Sequence, residues 1–172
     1  MTAKPIAIAR WAGSKRRLVP ELLPRLPPDI HERHYVEPFL GGGSLFFALG
    51  PKEATLGDLN TALVMTYQEI KHEVEPLIEI LRDLELAHAP EFYTFVRRLF
   101  NQRLHFPAPL VAAWFLYLNA TNFNGLYREN QRGEYNVPIG SHKKPPICNA
   151  EELRAASKVL GSARLFVGDF EQ

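Results

Sequence analysis

Cysteine is almost missing: Cys148 stands alone among 172 residues. A single thiol excludes an internal disulfide framework and any cysteine-cluster metal site. No apolar run approaches the ~18 residues that a membrane-crossing helix needs, so no spanning segment and no membrane partner are expected. The N-terminal stretch "MTAKPIAIARWAGSKRR" holds a short apolar patch but lacks the core of a signal peptide. The six histidines (31, 34, 72, 88, 105 and 142) show no ligand spacing, and no metal is expected. Internal repeats and low-complexity tracts are also lacking. Together these absences point to the cytoplasm.

What remains is one domain by length, or one domain with an insert. Hydrophobic residues make up 46%, enough for a real core. The net charge of +1 is unevenly spread. Residues 1–34 carry Lys4, Arg10, Lys15, Arg16, Arg17, Arg25 and Arg33 against three acids, whereas residues 71–91 lean acidic. Between Phe92 and Pro109 the charged residues are Arg97, Arg98 and Arg103. Basic segments on a near-neutral chain can lie against a polyanion. Solvated helix faces explain the same pattern.

The chain alternates strand and helix signals. "HYVEPF" (34–39) is a short apolar run that ends in glycines, as a buried parallel strand would. "SLFFAL" (44–49) opens a helix, and "EATLGD" (53–58) reads as a second strand. From Leu59 the apolar positions 59, 63, 67, 70, 74, 77, 78, 81 and 84 step by three and four, which predicts an amphipathic helix. Pro76 predicts a break near residue 75. Further helices are expected at about 91–103, with Phe92, Phe95, Val96 and Leu99, and at about 109–120, apolar all round and therefore buried. "NAEELRAASKVL" (149–160) is a helix capped by Asn149 with Glu152 three residues on. "RLFVGD" (164–169) is a third strand. Residues 120–147 are rich in Asn, Gly and Pro but too apolar for disorder, which predicts an ordered loop with a small hairpin near Arg132-Gly133. The sum is an open α/β sheet with an insertion.

A strand that ends in glycines and opens a helix holds ligands in such sheets, because glycine admits a close approach and the helix start offers free N–H groups. Asp58, 15 residues past Gly43, stands where an acid can hold two ribose hydroxyls. The pattern is G-G-G-S and not G-x-G-x-x-G, which favours an adenosine-type ligand other than a dinucleotide. A plain glycine-rich turn is the alternative. "RWAGSKRR" (10–17) offers a Trp to cover a ligand and a Lys to pair with a carboxylate. Core packing and a solvated basic turn explain it as well.

Four blocks, "WAGSK", "VEPFLGGGSLFF", "GDLN" and "FLYLNATNFNGLYRENQRGEYNVPIG", occur in that order. In order and spacing they resemble the Dam-type, D12-class, adenine-N6 DNA methyltransferases, from Trp11 to about Asp169. The resemblance implies a Rossmann-like, S-adenosylmethionine-dependent methyltransferase fold with an incomplete sheet and a mostly helical target-recognition insert. Residues 1–60 and 149–172 would form the partial α/β domain, and 61–148 the insert. It assigns Trp11 and Lys15 to a cofactor-binding block, and Phe39, Gly41 and Gly43 to the turn at the methionine moiety. Asp58 would take the ribose. Double-stranded DNA would be the partner. Phe123 and Asn124 fall where the family invades the duplex, Leu126 and Arg128 where it contacts bases, and Asn130 and Arg132 where it grips the backbone. Phe123 replaces the Tyr of well-known members. Arg reads a guanine edge with two hydrogen bonds, so Arg128 hints at a guanine beside the target. An aromatic fills the gap left by a flipped base.

The family's chemistry uses an Asp/Asn-Pro-Pro-aromatic motif, which these 172 residues do not contain. Leu26-Pro27-Pro28-Asp29 and Lys144-Pro145-Pro146-Ile147 do not fit it. The expectation is a cofactor-and-recognition half, completed by a second chain or surviving as an inactive binding module. Its first strand would then lie at an exposed, apolar sheet edge. A generic α/β nucleotide-binding domain is the remaining alternative.

Overall fold

The computed structural model describes residues 8–142, 144–169 and 171. Lys4 and the first residues of the N-terminal stretch lie outside the described residues.

Three parallel strands form one sheet in the order β1-β2-β3: β1 is Tyr35–Glu37, β2 is Ala54–Asp58 and β3 is Ala163–Val167. Tyr35 faces Ala54, and Ala54 in turn faces Ala163. Parallel neighbours need crossovers that return the chain to the same end of the sheet. A four-residue helix, α1 (Val19–Leu22), precedes the sheet, and α2 (Ser44–Leu49) lies between β1 and β2. The remaining α-helices lie between β2 and β3.

The long apolar run after β2 becomes two helices, α3 (Thr61–His72) and α4 (Val74–Leu86). The break falls at Glu73, just before the predicted position. Pro76 is the third residue of α4, where a missing N–H costs no intrahelical bond. Leu59 does not join the buried face. It is 67% exposed and precedes the cap residue Asn60, whose side chain accepts from Leu63 N at 2.9 Å. Helix α5 (Pro90–Phe100) stops three residues short of the predicted end, and its Phe95 is exposed, with the Arg98 guanidinium over the ring. Helix α6 (Ala108–Thr121) is buried from Val111 to Asn119 and packs against α3, α4 and α5. An all-apolar helix needs such surroundings on every side. Helix α7 (Ala150–Leu160) starts as expected, Asn149 Oδ1 accepting from Glu152 N at 3.2 Å.

The core runs without a break from the sheet into the helices, through Leu56, Phe46, Leu63, Tyr67, Ile78, Phe115 and Leu160. Helix α3 joins the two regions, touching β2 and β3 as well as α6. Among the described residues no helix is long and apolar enough to cross a membrane.

Candidate cofactor pocket and reading loop

The carboxyl ends of β1 and β2 build the first site. β1 runs into Leu40 and the glycines. Gly41 and Gly43 take φ of +49° and +62°, a region that side chains with a Cβ rarely enter. A Cβ at Gly41 would stand 2.7 Å from Trp11 Cδ1, so the indole rests directly on the turn. Asp58, at the end of β2, holds both neighbouring loops. Its Oδ2 accepts from Gly41 N and its Oδ1 from Asn60 N, each at 2.9 Å. The buried Tyr67 hydroxyl donates to Gly41 O at 2.9 Å. Ser14 and Ser44 hydroxyls meet at 2.9 Å, tying the N-terminal segment to the start of α2.

These residues enclose a cavity of about 290 Å³. Trp11, Lys15, Phe39, Gly41, Gly43 and Asp58 all line it, joined by Glu37 and Ser44. The sequence reading passed over Glu37, although an acid inside the apolar run "YVEPF" was a signal, since carboxylates are rarely buried without a partner. Here Glu37 is 8% exposed. Its Oε2 accepts from Tyr35 Oη at 3.0 Å, and Lys15 Nζ stands 3.5 Å from its Oε1. Burial pushes the Glu37 carboxyl up, with the Tyr35 hydroxyl and the Lys15 ammonium opposing.

The donor set has a definite chemistry. Lys15 and Glu37 offer opposite charges side by side, as an amino-acid zwitterion requires. Asp58 spends one lone pair of each oxygen on backbone, and an ionised carboxylate oxygen accepts more than one hydrogen bond, as a diol requires. The residues therefore fit a ligand that joins an amino acid to a nucleoside.

The second site is the segment after α6. It is ordered as predicted, with antiparallel bridges Asn122–Ile139 and Glu129–Tyr135. Its inward residues are fixed by α5 and the residue that caps its C-terminus, Asn101. Asn101 exchanges two hydrogen bonds with the Tyr135 backbone at 2.8 and 3.1 Å, and Tyr93 Oη donates to Val137 O at 2.8 Å. Phe123, Asn124, Leu126, Arg128, Asn130 and Arg132 are all exposed. Phe123 is 50% exposed, so core packing does not account for it. Asn124 takes φ of +58°, which Asn tolerates better than most residues. Arg128 Nε donates to Asn136 Oδ1 at 2.7 Å, which holds the guanidinium at the surface. The Asn130 side chain builds the turn. Its Oδ1 accepts from Arg132 N and Glu134 N at 2.9 and 3.0 Å, and its Nδ2 donates to Glu134 Oε2 at 2.8 Å.

Residues 11–172 match the family described as D12 class N6 adenine-specific DNA methyltransferase. The chain is 37% identical to the Type II methyltransferase M.MjaIII of Methanocaldococcus jannaschii, over 99% of this chain and 64% of that protein. It is 35% identical to the Type II methyltransferase M1.LlaDCHI of Lactococcus lactis subsp. cremoris, over 95% of this chain and 58% of that protein. With the DNA adenine methylase of Escherichia coli K12 it shares 36% identity, over 88% of this chain and 54% of that protein. The chain thus spans between about half and two thirds of these relatives.

Proposed function

Because the chain belongs to the D12 class of N6 adenine-specific DNA methyltransferases, we propose that it holds S-adenosylmethionine in the glycine-turn pocket and duplex DNA on the reading loop, for methyl transfer to adenine N6. The observation that carries this reading is the gathering of all six expected cofactor residues around one cavity. In this reading Lys15 meets the carboxylate of the methionine part, Glu37 its cationic groups and Asp58 the ribose hydroxyls. Trp11 and Phe39 cover the pocket. Residues 1–60 and 149–172 form the cofactor unit, of Rossmann-like type, and 61–148 carry recognition.

When bound, S-adenosylmethionine supplies a methyl group made electrophilic by its sulfonium. The chain's own contribution is placement. An adenine amine inside a duplex is out of reach until the base is flipped, and Phe123 is suited to fill the gap it leaves. Arg128 turns its Nε and Nη2 toward Asn136, and the terminal end of its guanidinium is suited to donate to a guanine edge. Arg132 reaches outward for phosphate. Groups that accept the amine protons and aim its lone pair lie, in this reading, on polypeptide that pairs with the open edge of β1, whether in the same chain or a second one. The position of β1 at the end of the sheet supports that part. A duplex-DNA substrate puts this work in the cytoplasm.

The test is transfer of labelled methyl from S-adenosylmethionine to duplex DNA, using the chain together with polypeptide that carries a Pro-Pro-aromatic motif. Nucleoside digestion should yield N6-methyladenine, with loss of label on Phe123→Ala or Arg128→Ala. Label on cytosine, or full transfer by both variants, would refute the assignment.

A further inference from the structure

Tyr127 is half-buried against the core, in a segment whose neighbours on either side are exposed. Leu126 and Arg128, on either side, are the residues expected to meet bases, and both face solvent. Tyr127 points the other way, and does not line the cofactor pocket. Its ring stacks on Trp11 with centroids 5.2 Å apart and planes at 28°. Trp11 in turn rests on Gly41, so one indole touches both the reading loop and the glycine turn.

The far side of the Tyr127 ring is fixed as well. It lies 5.7 Å from Phe115 and 5.5 Å from Tyr135. Its hydroxyl donates to Glu129 Oε1 at 2.5 Å, and Glu129 accepts from Arg103 Nη2 at 2.8 Å. A second tie runs parallel. Asn119 Oδ1 accepts from Arg10 N at 2.7 Å, and its Nδ2 donates to Arg10 O at 2.9 Å and Gly125 O at 3.4 Å. The Arg10 side chain fills the space beside Gly125. The segment carrying Trp11 and the loop carrying Arg128 are therefore tied together at two places, by the Tyr127 stack and by the Asn119 clamp. A rigid contact shared by two sites lets each ligand bias the other, and any such coupling is reciprocal.

We propose that Tyr127 is a positioning residue that couples the cofactor pocket to the DNA-reading loop through its stack on Trp11. A ligand that seats Trp11 against Gly41 orders the backbone of residues 126–136, and DNA that grips this loop presses Trp11 onto the pocket. The inference rests on the cofactor assignment above and adds its link to DNA.

Hydrogen–deuterium exchange with and without S-adenosylmethionine tests it on wild type, Tyr127→Phe and Tyr127→Leu. Tyr127→Phe keeps the ring and drops only the hydroxyl, so it guards against loss of fold. The cofactor should slow exchange at Gly41–Gly43 in all three proteins. It should slow the amides of residues 126–136 by about fivefold or more in wild type and Tyr127→Phe, in the range typical of coupled sites, and leave them unchanged in Tyr127→Leu. Protection of the glycine turn with no change in the wild-type loop overturns the coupling alone. So does loop protection that survives in Tyr127→Leu. No protection of the glycine turn in wild type overturns the cofactor assignment and this inference with it.

Discussion

Glu37 is the residue on which the pocket's electrostatics turn. Burial raises its carboxyl pKa from the ordinary value of 4.5, so the folded chain binds a proton more tightly there than the unfolded chain does. Such a group adds stability below its unfolded pKa and loses it as pH rises through the folded pKa. Glu37→Gln removes that titration. Melting temperatures of wild type and Glu37→Gln should coincide near pH 4 and separate toward neutrality, with the variant the higher. A gap that is constant across this range counts against a buried, destabilised carboxylate. The same substitution should weaken S-adenosylmethionine binding, since in the proposed function Glu37 meets the cationic groups of the cofactor. Tyr67 works by geometry alone. Tyr67→Phe leaves the Gly41 carbonyl without its donor and should cost about 1–2 kcal/mol in denaturant titration. An unchanged midpoint would mean that the hydroxyl does not hold the turn.

At the scale of elements, the open side of β1 governs behaviour. Among the described residues the strand has one neighbour, β2, and its middle residue Val36 is 58% exposed beside Phe39 at 61%. An apolar edge with unpaired backbone recruits other chains unless it is covered or charged. The isolated 172-residue chain should self-associate in sedimentation velocity, and Val36→Lys should shift it toward monomer. A wild type that sediments as monomer at high concentration contradicts this. Apart from α1, the named elements were legible because each carries a local signal. Apolar steps of three and four marked α3 and α4, Asn149 with Glu152 marked the start of α7, and short apolar runs marked the strands. Local signals misplaced Leu59 and Phe95, because period alone does not say which apolar residue lies beyond the last packed turn. They also passed over Glu37, marked Tyr67 only as an apolar helix position, and gave Tyr127 no role of its own. The importance of these three comes from contacts between distant segments, such as Tyr127 on Trp11, which no window along the chain can contain. Asn130 shows the converse: a residue assigned to DNA on resemblance spends its side chain on the turn that presents Arg132.

For the molecule as a whole, the sheet and the helices share one core, so the pocket and the loop are supported by the same packing. α6 underlies both, with Phe115 against Trp11 and Tyr127, and Asn119 clamped to Arg10. In the proposed function, this arrangement lets a small, near-neutral chain present both surfaces on one core. In the proposed function the glycine turn, Lys15 and Asp58 form a pocket for S-adenosylmethionine. Titration calorimetry of the chain with that compound tests it most directly, with Asp58→Ala and Lys15→Met as controls and circular dichroism to confirm that each is folded. Wild type should bind saturably, with affinity weakened about tenfold or more in each folded variant, or at least ~1.4 kcal/mol. A well-folded wild type that takes up no S-adenosylmethionine, or folded variants that bind as tightly as wild type, would contradict it.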